Sequence, residues 1–376
     1  MKTRWRLLLL APGLALALIV LLAVGVHGAA AGSPTPDEGA FGVCPTQTTP
    51  LPVPFTLTVA LQRPNSPPPS PAWAVPVTFT LYPPGDATTI CHQWELTLDQ
   101  SGRWKGFLDL FTGVYDARIR NLHTLRNVKR NVAIGGPATI AMGTLYEGDA
   151  NADNAVNILD FGRLRNSYFL DEGMPGFDPA ADFDENNTIN ILDFGLLRAD
   201  YFMEGDIEVT ALASAAAAPT TAPVTITVIP LARDLGMGEV TGFAIWTDAT
   251  AQPLLGLDVE LYYRLRGVAV TDAAGNPATS VLPGATFNVV LQNRVDTKAG
   301  RILFSAANFD APVSGLVEVA TFYLQGLAPG PAGVRFGSRT IGMDFAGRQL
   351  SLTLDRPAIT VGGVSNYRQY YPLGLK

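Results

Sequence analysis

The chain is poor in the residues that most enzymes depend on. It has three histidines and two cysteines in 376 residues. His27 lies in an apolar leader, and neither His92 nor His123 belongs to a His-Glu-x-x-His or Gly-x-Ser-x-Gly signature. Both read as ordinary strand or loop residues. Charge is also scarce, at 16% of residues with a formal net charge of -7. No Lys/Arg-rich run follows Lys2, Arg4 and Arg6, so the electrostatic footprint of a nucleic-acid binder is missing. The Asp-rich pairs that could suggest glycoside hydrolysis fall in two acidic loops; elsewhere Asp258 and Glu260 alternate along a strand in the manner of a solvated sheet face. No enzymatic activity is expected, and no nucleic acid as partner.

What the chain does have is turn formers, with 37 glycines and 29 prolines. Its length suits two or three domains, and this composition favours short strands over long helices. The expected fold class is mainly β and multi-domain. Residues 1–31 carry Lys2, Arg4 and Arg6, an uncharged stretch over 7–26 and small residues near 29–31, the pattern of a secretory signal peptide. The same stretch is long enough to span a bilayer if uncleaved; either way the rest of the chain lies outside the cytoplasm, secreted or at the cell surface. Residues 32–54 read as a Pro/Thr/Gly linker, and Phe55-Thr-Leu-Thr-Val-Ala-Leu61 opens a small β-sandwich over 55–147 by strict alternation. Cys44 and Cys91 are an even pair that an oxidising compartment would join, two free buried thiols being the alternative. Residues 205–223 form an Ala/Thr/Pro linker, 224–362 a second β-sandwich of jelly-roll type, and 363–376 a C-terminal tail.

Between the sandwiches, over 148–204, the texture changes to an acidic loop followed by an apolar-periodic helix, twice. Adding 33 to 149–169 gives 182–202, with 12 of 21 positions identical, so one structural unit is used two times. Calcium takes six to eight oxygens, which a twelve-residue loop offers from positions 1, 3, 5, 7, 9 and 12. In the first loop these are Asp149, Asn151, Asp153, the carbonyl of Ala155, Asn157 and Asp160; in the second, Asp182, Asp184, Asn186, the carbonyl of Thr188, Asn190 and Asp193. Position 6, usually Gly because φ is positive there, is Asn154 and Asn187, the non-Gly residue that best tolerates that conformation. Position 8 is Val156 and Ile189, apolar residues suited to joining the two loops. Phe161, Leu164 and Tyr168, then Phe194, Leu197 and Tyr201, define one apolar helix face per repeat. Two calcium ions are the expected cofactors.

Loop-then-helix, with Gly-Asp-Ala-Asn-Ala-Asp-Asn-Ala-Val-Asn-Ile-Leu-Asp at 148–160 and its second copy 33 residues on, resembles type I dockerins. The resemblance implies partners that bear cohesins, recognised through loop positions 10 and 11 and the following helix: Ile158, Leu159 and Arg165 with Asn166, or Ile191, Leu192 and Arg198 with Ala199. Many cellulosomal dockerins have hydroxyl residues at positions 10 and 11. Here the Ile-Leu pairs are either core residues or, if exposed, an apolar contact patch. The runs 256–263, 300–306 and 315–323 look like successive core strands of cohesins, a class of sandwich shared with carbohydrate-binding modules. The expected function is a non-catalytic scaffold or adaptor that assembles with cohesin- or dockerin-bearing proteins around polysaccharide degradation. The alternatives are a carbohydrate-binding protein acting through the C-terminal sandwich, where Trp246 is the one tryptophan, and a structural envelope protein.

Overall fold

The computed structural model describes residues 42–46, 49–63, 65–209, 222–231, 235–356 and 358–362. The leader at 1–31, the tail at 363–376 and most of the linker at 205–223 lie outside the described residues. Cys44 and Cys91 are joined by a disulfide, with Cα atoms 5.4 Å apart.

The N-terminal sandwich has two sheets. One has the order β4 (Arg103–Leu110), β1 (Leu51–Leu61), β7 (Ala138–Leu145). The other runs β3 (His92–Thr97), β2 (Pro76–Tyr82), β5 (Gly113–Arg120), β6 (Asn127–Ile134), β8 (Ile207–Glu208). Strand β1 begins four residues before the alternation at Phe55 suggested. Pro52 and Pro54 fit because their stretch pairs only with β4, while pairing with β7 starts at Phe55, so the missing N–H groups cost nothing on that edge. Val53, Phe55, Leu57, Val59 and Leu61 point inward together, as the two-residue period of a strand requires, and meet Val77, Phe79 and Leu81 of β2.

Among the described residues there are two α-helices, both in the acidic repeat: α1 (Ile158–Asn166) and α2 (Ile191–Ala199). No helix of the described residues is long and apolar enough to cross a membrane.

The C-terminal sandwich contains β9 (Val224–Pro230), β10 (Val240–Asp248), β11 (Gly256–Tyr262), β12 (Val268–Thr271), β13 (Leu282–Pro283), β14 (Val289–Asp296), β15 (Arg301–Ala307) and β16 (Leu316–Gly326). The shorter β17 (Gly330–Pro331), β18 (Arg335–Phe336), β19 (Ile341–Met343), β20 (Gln349–Leu350), β21 (Leu352–Asp355) and β22 (Thr360–Val361) follow. One sheet has the order β12-β16-β10-β9-β21 and the other β14-β15-β11-β19-β20. In β15 the alternation divides the strand between two cores. Ile302, Phe304 and Ala306 face the interior of the sandwich, while Leu303 and Ala307 join the core of the central repeat. The outer face of this second sheet is therefore covered, by the repeat itself.

Candidate metal centre

Each acidic loop runs directly into its helix, and the junction is a capping box. Asn157 and Asn190 are the N-caps, accepting from the amides of Leu159 (2.8 Å) and Leu192 (2.7 Å). Asp160 and Asp193, at loop position 12, accept in return from the amides of Asn157 (2.8 Å) and Asn190 (2.9 Å). Their second oxygens reach across the loop, Asp160 to the amide of Asn151 (3.0 Å) and Asp193 to that of Phe183 (2.7 Å). The carboxylate at position 12 thus closes each loop. Left-handed backbone recurs at the same register in both: Ala152 and Glu185 at position 4, and Asn154 and Asn187 at position 6 with φ of 70° and 67°. The asparagines occupy the conformation for which a glycine is usual.

The position-8 residues do not join loop to loop as expected. Val156 exchanges backbone hydrogen bonds with Phe202 and Met203 just after α2, and Ile189 with Phe169 and Leu170 just after α1. Phe169 and Phe202 both have positive φ, a turn that brings the chain out of each helix and alongside the other loop. The module is closed by this two-fold exchange, and Phe161 and Phe194 meet edge to face between the helices with centroids 6.3 Å apart.

Both loops suit a divalent cation, on different observations. In the second, Asp182, Asp184 and Asp193 are buried, and one carboxylate oxygen from each lies within 4.8 Å of the others. Burial and the neighbouring Asp182 push Asp184 up to about 7, and burial with Asp184 and Asp182 raises Asp193 well above the carboxylate range. Like charges held together out of water call for a compensating cation. In the first loop Asp149 Oδ1 is buried without a hydrogen-bond partner. Its Oδ2 already accepts from the amide of Asn154 (3.0 Å) and from Arg120 (3.3 Å). Asp153 is exposed, and burial raises Asp149 and Asp160, with Arg120 opposing the rise at Asp149. The second loop is a gathered carboxylate cluster; the first is looser and shares its leading carboxylate with a guanidinium.

The N-terminal sandwich holds one side of the module by polar contacts that the sequence alone did not single out. Arg120 comes from the end of β5, and Arg126 pairs with Asp206 at 2.6 and 2.9 Å. His123 is buried beside Glu147 (2.7 Å) and Glu185 (3.4 Å), and Arg63 reaches the same Glu185 (3.2 Å). Burial disfavours a charged imidazole, but the Glu147 carboxylate dominates in sum with the other contacts and raises His123 to about 9. His123 thus ties the two parts together through buried contacts to Glu147 and Glu185, and is not a plain loop residue. The only sequence sign of it is its position near the start of the acidic repeat.

The other side lies on the C-terminal sheet, and here the two expected recognition faces part. Ile158 and Leu159 are 64% and 61% exposed, with Arg165 and Asn166 also at the surface. Ile191 and Leu192 are 0% and 4% exposed, packed in one core with Leu291, Leu303, Ala307 and Met343. The amide of Ile191, in the first turn of α2, donates to Asp258 Oδ2 (3.0 Å), and Tyr168 donates its hydroxyl to Asp258 Oδ1 (3.0 Å) beside Ser305 Oγ (2.9 Å). Arg198 donates to the carbonyls of Phe309 (3.0 Å) and Phe345 (2.9 Å) and lies over the Phe345 ring. Arg339 pairs with Asp171 and donates to the carbonyl of Phe169 (2.7 Å). The reading of Asp258 and Glu260 as a solvated face is corrected: both point outward from the sandwich, as alternation indicated, but that face is buried. Asp258 is covered by α2 and Tyr168, while Glu260 is enclosed by Tyr262, Arg301 and Thr340.

Residues 147–200 match the model of the dockerin type I domain. Dockerin type I domains bind calcium, in keeping with the oxygen sets of both loops. No curated protein matches the chain. Among solved structures, a type II cohesin domain from the cellulosome of Acetivibrio cellulolyticus is similar at 16% identity, covering 38% of this chain and 96% of its own, with a TM-score of 0.33. The type II cohesin A11 from Bacteroides cellulosolvens matches at 13% identity, 36% and 98% coverage and a TM-score of 0.31. A non-cellulosomal cohesin from the hyperthermophilic archaeon Archaeoglobus fulgidus matches at 14% identity, 37% and 91% coverage and a TM-score of 0.28.

Proposed function

We propose that the protein is an exported, calcium-loaded assembly protein without catalytic activity, which uses its dockerin module to attach to a cohesin-type partner in a polysaccharide-degrading system. The carrying observation is the uncovered start of α1. Ile158 and Leu159 stand side by side in solvent while their counterparts Ile191 and Leu192 are buried, and Arg165 is exposed with them. Two adjacent aliphatic side chains held in water by a rigid capping box have a use as a contact patch. Two calcium ions are read for the module. Loop one would hold one through Asp149, Asn151, Asp153, the Ala155 carbonyl, Asn157 and Asp160, and loop two the other through Asp182, Asp184, Asn186, the Thr188 carbonyl, Asn190 and Asp193. With calcium bound, the three carboxylates of each loop would have most of their charge offset, and Asp160 or Asp193 would tie the loop to the first turn of its helix. Export is supported by the apolar leader and by the Cys44–Cys91 disulfide, a bond typical of oxidising compartments.

The test is binding of the full chain to a panel of immobilised cohesin domains in calcium and in chelator, with Ile158→Asp/Leu159→Asp as control. Calcium-dependent capture that the double substitution abolishes supports the reading. No capture by any cohesin, or capture that survives the substitution, sinks it.

A further inference from the structure

The outer face of the C-terminal sheet fits the start of a helix at each point of contact. A Cβ at Gly256 would meet Ile191 Cδ1 at 3.0 Å, so this glycine leaves room for the isoleucine. A Cβ on Gly195 of α2 would meet Met343 Sδ at 2.3 Å, so the helix lies directly against β19. Leu303 and Ala307 floor the site, and Asp258 accepts the first-turn amide that every helix leaves unpaired.

The residues that use this face are Ile191, Leu192, Gly195 and, from the other repeat, Tyr168. All of them recur at the 33-residue offset, as Ile158, Leu159, Gly162 and Tyr201. In the first repeat the Ile-Leu pair and the glycine are uncovered, while Tyr201 is half-buried with its ring centroid 5.1 Å from that of Phe309. Ile158 and Leu159 are exposed, and a Cβ on Gly162 would meet nothing within 4 Å. The helices differ in the matching stretch at Arg163 against Leu196 and Asn166 against Ala199.

We infer that this sheet face is a receptor for the Ile-Leu helix start, filled within the molecule by the second repeat, and that a second copy of this chain docks its first repeat there once the face is vacated. The inference rests on the reading of Ile158 and Leu159 as a partner-binding face and names one partner for it. The chain is self-complementary but closed: attachment through the same polypeptide gives the second repeat an effective concentration on the order of millimolar, so a micromolar solution stays monomeric. Opened, it joins head to tail, because donor and acceptor are different surfaces.

Sedimentation velocity of the full chain in calcium tests this. Wild type is expected to run as a monomer, and Ile191→Asp/Leu192→Asp to form concentration-dependent assemblies. Adding Leu159→Asp, which removes the donor, or Leu303→Arg, which fills the acceptor, should return the opened chain to monomer. Should the aspartates unfold the second repeat, mixing supplies a native donor: wild type and the opened chain should form a one-to-one complex that Leu159→Asp in the wild-type copy abolishes. An opened chain that stays monomeric and takes up no wild type overturns the inference, as does association indifferent to Leu159→Asp. If foreign cohesins fail to bind while the opened chain assembles, the attachment reading falls and this one stands; the converse result reverses that.

Discussion

The two repeats of the dockerin module share Asn-Ile-Leu-Asp-Phe-Gly at 157–162 and 190–195, the same capping box and the same left-handed positions, yet they live in different surroundings. The second loop gathers three buried carboxylates, and its Ile-Leu pair is pressed against a sheet. The first loop is open, holds its leading carboxylate against Arg120, and leaves its Ile-Leu pair in solvent. Local sequence therefore fixes the shape of each unit, while the neighbouring sandwiches decide its energetics. A substitution that is harmless in one repeat should be costly in the other.

The largest contrast is expected at the metal. A ligand that binds only the folded state at a thousand times its Kd stabilises it by about 4 kcal/mol. Asp193→Asn should lose that order of stability in calcium and much less in chelator, where only the amide contacts of its carboxylate are at stake. Asp160→Asn should lose less in calcium, because the first loop is the looser cluster. Denaturant titrations with and without calcium measure both, and equal effects in the two repeats would break the comparison.

Packing comes next. Leu192→Ala should cost about 2–5 kcal/mol as a core truncation, whereas Leu159→Ala at a solvated site should stay within about 0.5 kcal/mol. The glycines should then differ in sign. Gly162→Ala should stabilise by about 0.5–1 kcal/mol through helix propensity, and Gly195→Ala should destabilise by about 1–3 kcal/mol as its methyl meets Met343. Thermal melts of the two variants sharpen the comparison, and a shared sign would show that α2 does not rest on β19.

The most gradual effect is with pH. Asp184 has a folded pKa of about 7 against an ordinary 3.8, so between these values the folded chain binds more protons than the unfolded one. Without calcium, the contribution of this group to stability therefore falls as pH rises through that window, and the increment that calcium restores grows over the same range. Calcium titrations followed by calorimetry should show proton release on binding, and Asp184→Asn should lose the part of it that shrinks as the pH passes about 7. Release that is unchanged in the variant would remove Asp184 from the site.

Much of this molecule can be read without coordinates. Twelve-residue spacing, Asn at position 6 and Asp at position 12 depend on contacts within one turn of chain, and the loops, caps and helices appear at those residues. Alternation in Phe55-Thr-Leu-Thr-Val and Leu257-Asp-Val-Glu-Leu261 places the strands and says which side chains point away from the sandwich interior. Alternation cannot say what lies beyond the outward side. Asp258 reads as solvated because nothing near it in sequence covers it; its partners are Ile191 and Tyr168, 67 and 90 residues away. His123 and Arg120 are silent for the same reason.

The sequence by itself determined that there are two equivalent acidic units, that each has the oxygen set for a hard cation, and that each presents an Ile-Leu pair at the start of a helix. Only the tertiary structure decided which pair is buried and which is free. The two pairs are chemically identical, and what separates them is a sheet face contributed by strands far along the chain, which can cover one side of a two-fold module and not the other.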